Sequence, residues 1–257
     1  MVNEELRVLA TIGLIYETFI IALFVTILIL SFKKYQQKKH ELTFYLILIF
    51  LNFTIAIVFS WLSKLLVITI GLEYNHIPDF QPPVDEFNPI WWFLLRIVDF
   101  RISYIFVIIA IYLSYVLKVK LFDEGYKPKQ RIFIIIFTIF TAIFTFFIYQ
   151  RTNSIFDTFA FFFVFLLMLI VYIPFLSKTY KAYKSVKDKV YKKGFLALSL
   201  LSIFYILVLF SFFIDRMLTL IPGFELGFTL FYYLGWVFCA AASICAYFGY
   251  IKPRTQN

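Results

Sequence analysis

The sequence predicts an all-α membrane protein: a bundle of seven transmembrane helices with its N-terminus outside and its C-terminus in the cytoplasm. Three observations predict it. The chain is 63% hydrophobic and only 15% charged, where a soluble domain is about half apolar and about a quarter charged. Its apolar residues gather into seven runs, each near or above the roughly 20 residues needed to cross the hydrocarbon. Lysine and arginine collect in alternate loops, which fixes the direction of the first helix and of all that follow.

The first run, 9–32, holds Glu17 and ends at Lys33 and Lys34. No small-residue cleavage site follows it, so it is expected to remain as a span. The second, 42–70, carries Asn52, expected to donate to another helix, and Lys64. The loop 71–89 contains "NHIPDFQPPVDEFNP", too polar and proline-rich to cross. It is either a lid over an outer cavity or a solvated connector.

The third run, 90–117, opens after Pro89, which suits a first helical turn, with Trp91 and Trp92 at the level of an aromatic belt. The fourth and fifth, 131–150 and 154–177, are separated only by "QRTNS". Asn153 and Ser154 suit a tight turn and a helix cap; a hydrophobic hairpin that does not cross is the alternative. Pro174 removes a backbone donor and is expected to kink the fifth helix near its inner end. The segment "SKTYKAYKSVKDKVYKKG" (177–194) has Tyr180, Tyr183, Val186 and Val190 at helical spacing. It reads as a continuation of the fifth helix or as a helix on the membrane surface. The sixth run, 195–220, carries Asp215 and Arg216. The seventh, 226–251, repeats small residues every four positions, Gly235, Cys239 and Ser243, with Ala242 and Ala246. That is a face for close helix contact, so this helix is expected against the bundle centre. Cys239 and Cys245 are too far apart on one helix to be joined.

The formal net charge of +9 is explained by topology, not by nucleic acid. Lys33, Lys34, Lys38 and Lys39 follow the first span. Lys118, Lys120, Lys127, Lys129 and Arg131 follow the third. Lys178, Lys181, Lys184, Lys187, Lys189, Lys192 and Lys193 follow the fifth, and Lys252 and Arg254 end the chain. The opposite loops carry Glu4, Glu5, Glu73, Asp79, Asp85, Glu86 and Glu225. A multi-pass protein of the cell membrane is expected, with the bilayer as its first partner. Lys178 to Lys193 could dock anionic lipid, at about 1 kcal/mol per lysine, or a cytoplasmic protein. Aromatics reach 23%, with 36 Phe against 8 Gly, so bulky aromatic packing is expected, although base composition of the genome produces the same bias.

Charges inside the spans are the candidate site. In "LLRIVDFRISY" (94–104) a continuous helix from Ile90 places Arg96 about 9 Å, Asp99 about 13 Å and Arg101 about 16 Å below its start. Arg96, Asp99 and Ser103 then share a face, and Arg101 needs a partner from elsewhere. A charge at mid-bilayer costs at least roughly 2.5–3.5 kcal/mol, so these side chains should not face acyl chains. Glu17, Lys64, Asp157, Asp215 and Arg216 lie at matching depth in other spans, and four acids balance four bases. The set predicts a neutral polar cluster or cavity, open or nearly open to the outside, which holds an external small ligand or pins the helices as an ion-pair network.

The topology resembles that of seven-helix receptors, without the motifs of the rhodopsin-like receptor family: "LKVK" stands at the inner end of the third helix and no Asn-Pro-x-x-Tyr ends the seventh. Microbial rhodopsins need a lysine midway along the last helix, and the lysine here is terminal Lys252. The ending "AYFGYIKP" (246–253) resembles the last helix of the seven-helix sensor modules that precede prokaryotic histidine kinases. That resemblance implies a sensing module that signals to a separate protein. No cofactor is expected. His40 and His76 fall in loops on opposite sides, no hydrolase motif is present, and Gly-x-Gly-Asp is missing around Asp99 and Asp215, so no enzyme is expected. A sensor or receptor is the leading expectation. A small-solute or proton-coupled transporter is the alternative, although no repeat gives it two halves, and so is a structural or assembly subunit.

A cysteine at Glu5, in a background free of other cysteines, should react with a membrane-impermeant maleimide on intact cells. One at Lys184 should react only after permeabilisation. The reverse pattern would refute the direction of the chain.

Overall fold

A chain in lipid must satisfy its backbone hydrogen bonds within each span, and the apolar runs do so as helices. In the computed structural model, residues 4–72, 74, 88–122, 128–148, 154–221, 224 and 227–251 are described, and among them there is no strand. The helices are α1 (Glu4–Lys38), α2 (Glu41–Ile70), α3 (Pro89–Val98), α4 (Arg101–Leu121), α5 (Pro128–Ile143), α6 (Ser154–Ser185), α7 (Lys189–Leu218) and α8 (Leu230–Ala246). Short π-helical segments, Phe144–Ile148 and Tyr247–Ile251, extend α5 and α8. With those extensions, all but α3 are long and apolar enough to cross a membrane. The protein is an all-α, multi-pass integral membrane protein, a bundle of seven spanning helices.

Six of them close a ring in the order α1, α2, α4, α6, α7, α8 and back to α1. α5 stands outside the ring against α4 and α6, and buries only Ile134 and Thr141. Its remaining Ile and Phe side chains, such as Ile136 and Phe140, face outward, where lipid is as apolar as they are. The end of the bundle at which α1 begins is called the upper end below; α2, α5 and α7 finish there and α4, α6 and α8 start there.

Local chemistry explains most boundaries. Pro89 opens α3, as the sequence suggested, and the Asn88 side chain caps it by accepting from Ile90 N at 3.0 Å. His40 Nδ1 caps α2 by accepting from Leu42 N. α6 runs past Pro174 to Ser185, so the first half of the basic 177–194 segment continues that helix and its last residues open α7. Between the two the helix breaks for three residues, and Asp188 accepts from Val190 N and Tyr191 N to start α7. α8 presents Gly235, Cys239, Ala242, Ser243 and Ala246 to the interior, as the spacing of small residues predicted, and both cysteines are free.

Two expectations are corrected. Asn52 does not reach another helix: its Nδ2 donates to Leu48 O of its own helix at 2.8 Å, because the side chain is only half-buried and its own carbonyl is nearer. The 90–117 run is not one helix. α3 ends at Val98, Phe100 adopts a left-handed conformation (φ 62°, ψ 11°), and α4 begins at Arg101. Arg96 and Asp99 therefore do not share a helix face with Ser103, and Arg101 stands at the start of a span instead of some 16 Å down one. Glu73, residues 75–87 with His76, Lys127, residues 150–153, Glu225 and the tail from Lys252 lie outside the described residues; the proposed lid and the Asn153 turn fall there.

A Cβ added at Gly235 would lie 2.6 Å from the Phe212 ring, closer than atoms pack. Gly235→Val should lower stability by about 1–3 kcal/mol, read as an earlier thermal unfolding in detergent; the helix-propensity gain over Gly, below about 1 kcal/mol, is too small to offset it.

Candidate functional site

The intramembrane charges meet at the upper end. Lys64 Nζ, on α2, donates to Glu17 Oε1, on α1, at 2.7 Å, and both side chains are fully buried. Ser60 Oγ also donates to Glu17 Oε1 at 2.7 Å, and Tyr232 OH, on α8, does so at 3.3 Å. Gly13, one turn above Glu17, makes this approach possible, since a Cβ there would lie 2.9 Å from Lys64 Cε and 2.8 Å from the Tyr232 hydroxyl. Arg101, at the start of α4, pairs with Asp157 of α6. Asp215, on α7, accepts from Thr229 N at 2.8 Å and Thr229 Oγ1 at 2.7 Å, and so fixes the first turn of α8. Arg216 lies within electrostatic reach of Asp157 and Asp215, and Lys64 within reach of Asp215. Glu17, Lys64, Asp215, Arg216, Asp157 and Arg101 thus form a belt of alternating sign across five helices, with charges that sum to zero.

Beside the belt, at the upper end, an aromatic cap closes the bundle. Tyr74 stacks on Phe100 at 5.5 Å between centroids and tilts against Phe228 at 5.7 Å, and Phe228 meets Tyr232 edge-on at 4.8 Å. Lys64 Nζ lies 4.9 Å and Arg216 Cζ 5.4 Å from the Phe100 ring centre. Phe100 and Phe228 (φ 55°) are both left-handed without being glycine, a strain of order 1–3 kcal/mol each. For Phe100 the two cation–π contacts, at about 2 kcal/mol each when desolvated, outweigh it. This clamp on one ring is what breaks the third span.

Beneath Phe100 lies a cavity of about 100 Å³. All six ring helices line it, from Phe24 on α1 to Trp236 on α8, and α5 does not. Its walls are mainly aromatic and aliphatic; Ser60, Ser103, Asp215 and Arg216 bring polar groups to it. Tyr104 and Tyr205 also line it, both buried, and neither hydroxyl has a hydrogen-bond partner among the described residues. A smaller cavity of about 20 Å³ follows toward the lower end, lined by Ser114, Tyr172 and Tyr250 among others, and Tyr205 borders both. Tyr172 OH donates to Ser114 Oγ there at 2.9 Å.

Of the eight residues singled out in the sequence, six form the belt. Asp99 is buried in the break between α3 and α4. Arg96 points along α3 instead, with its guanidinium carbon 3.6 Å from the Trp92 ring centre and a donor 3.3 Å from Trp92 O. The predicted cluster and the cavity are adjoining features: only Asp215 and Arg216 of the eight line the cavity. Sequence reasoning missed Gly13, Ser60, Phe100, Tyr104, Tyr205 and Tyr232. A helical count could have found Gly13 and Ser60, four residues from Glu17 and Lys64 respectively; nothing in a run of aromatics distinguishes the others. Among the described residues no group of His, Cys, Asp and Glu could hold a metal ion. Comparison with protein-family models, curated proteins and solved structures gives no match for this chain.

Removing one partner of a buried pair leaves the other charge unmatched, at about 3–5 kcal/mol, whereas replacing both with apolar groups is near neutral or stabilising. Glu17→Leu should therefore unfold at markedly lower temperature than the parent, and Glu17→Leu/Lys64→Met should recover most of the loss. A double variant no better than Glu17→Leu would show that Lys64 is not matched chiefly by Glu17.

Proposed function

We propose that this integral membrane protein is a receptor-like sensor: a small ligand from the outer side occupies the cavity beneath the aromatic cap, and the lower end passes the change on. The observation that carries this reading is the convergence of all six ring helices on a single cavity. A ligand there touches every helix of the ring at once, and can bias their packing if it has different affinities for two arrangements. The basic residues of the bundle's other end supply the output surface in this reading. Lys120 binds Glu41 of α2, Lys34 Nζ donates to Tyr250 O beside the lower cavity at 2.5 Å, and Lys184 and Lys192 lie over Tyr180 and Tyr183. Ligand-driven shifts in α1, α2, α4 or α8 would alter these contacts and the surface offered to a separate cytoplasmic partner.

A carrier is the second reading, favoured by the two cavities in series that share Tyr205. It requires net movement of solute in proteoliposomes, which a sensor does not perform.

The receptor reading is tested by screening small molecules for thermal stabilisation of the purified protein, beside an Ala56→Phe variant that fills the cavity. A ligand at about a hundredfold its dissociation constant adds about 2.7 kcal/mol to the parent, and the variant should lose that gain. Hydrogen exchange of residues 178–193 should change when such a ligand binds. Stabilisation through the cavity with unchanged exchange at the lower end would overturn the sensor and leave a binding protein.

A further inference from the structure

The chemical class of the ligand follows from the walls of the cavity. We infer that the cavity takes a small, neutral, mainly apolar molecule carrying a hydrogen-bond acceptor, which receives the hydroxyl of Tyr104 near the belt. This rests on the cavity being a ligand site, as proposed above, and adds what that ligand is.

Size comes first. A cavity of about 150 Å³ lined by aliphatic and aromatic side chains accepts benzene, so about 100 Å³ suits a single ring or a short branched chain. Charge comes next. Each ionised side chain near the cavity already has an opposite neighbour in the belt: Asp215 holds two donors from Thr229, and Arg216 lies between Asp157, Asp215 and the faces of Phe100 and Phe161. An anion, a cation or a zwitterion would have to break those pairings without gaining water in exchange, and a charge moved out of water without a matched partner is far costlier than a neutral dipole. Polarity comes last. Tyr104 and Tyr205 are 6% and 4% exposed, and buried hydroxyls usually have partners. Tyr104 meets Phe161 edge-on at 4.6 Å, and Tyr205 packs on Phe53 and Tyr172, so their rings are held while their hydroxyls are left to donate. Tyr104 stands in the first turn of α4, whereas Tyr205 packs on Tyr172, which bonds Ser114 about 15 Å farther down α4. A single ring therefore reaches one hydroxyl and not both, and an acceptor such as a carbonyl, ether or ring nitrogen beneath Phe100 serves Tyr104.

The three methionines allow a direct test on the full chain in lipid nanodiscs. Met168 lines the cavity and is 1% exposed, whereas Met217 is 43% exposed at the upper end and reports partition into lipid. With methyl-labelled methionine, cyclohexanone should shift the Met168 signal saturably and leave Met217 following the bulk lipid. Methylenecyclohexane, the same shape without the acceptor, should bind at least about fivefold more weakly, the scale of one hydrogen bond. Tyr104→Phe should bring cyclohexanone down to that level and leave methylenecyclohexane unchanged, whereas Tyr205→Phe should leave both as in the parent. Equal affinity for the two ring compounds, or no effect of Tyr104→Phe, would overturn the role of the Tyr104 hydroxyl. Tighter binding of cyclohexanecarboxylate or β-alanine, or no saturable shift with any of the four probes, would overturn the ligand class. The receptor reading fails separately: cyclohexanone that binds without changing exchange at residues 178–193 refutes the sensor and leaves this inference standing, and a charged ligand that changes it does the opposite.

Discussion

The belt of alternating charges is the constraint on which the rest depends. Each of its members is too costly to leave facing lipid, so each dictates where its helix must turn. Glu17 fixes the rotation of α1, Lys64 that of α2, Arg101 that of α4, Asp157 that of α6, and the adjacent Asp215 and Arg216 that of α7. Apolar packing alone does not do this in a bilayer, because lipid chains are as apolar as leucine. A phenylalanine-rich helix could rotate and lose little; a helix with one buried carboxylate cannot. The belt specifies register more than it adds stability, which is the best-supported use of buried ion pairs.

The cap and the cavity follow from the belt. Two cations held at one level have faces that the acids do not fill, and the Phe100 ring occupies both. To reach that place the backbone must leave the helix, and the third apolar run divides into α3 and α4. Ser63 Oγ then donates to Val98 O and Ser103 Oγ to Ala56 O, each near 2.8 Å or shorter, so both sides of the break are tied to α2. With Phe100 seated against the two cations, the space below it is closed only by side chains from six different helices, and their bulk leaves a void. Tyr104 and Tyr205, with rings fixed by aromatic neighbours, add hydroxyls unpaired among the described residues to a mainly apolar chamber that Ser60, Ser103, Asp215 and Arg216 also reach.

Much of the fold was legible because length and hydropathy are one-dimensional quantities. Seven runs of sufficient length became seven spanning helices. Pro89 marked the start of α3, and the four-residue repeat of Gly235, Cys239 and Ser243 marked the buried face of α8. The charged residues were legible for a similar reason: an ion in an apolar run has few places to go, so Glu17, Lys64, Arg101, Asp157, Asp215 and Arg216 could be grouped before their partners were known. The break at Phe100 carried no such signal, since neither Pro nor Gly stands there and a left-handed phenylalanine is imposed by its neighbours. The face that Arg96 and Asp99 were expected to share with Ser103 was lost for the same reason, because it was counted across a helix that ends at Val98.

The sequence by itself determined that this chain lies in a membrane, how many times it can cross, and that its buried ions must find one another, because transfer from water to hydrocarbon is decided residue by residue. Only the tertiary structure decided who pairs with whom, that α5 stands outside the ring, and that a chamber with two tyrosine hydroxyls opens beneath Phe100. Those depend on distances between side chains from separate helices, and no spacing along a single helix encodes them.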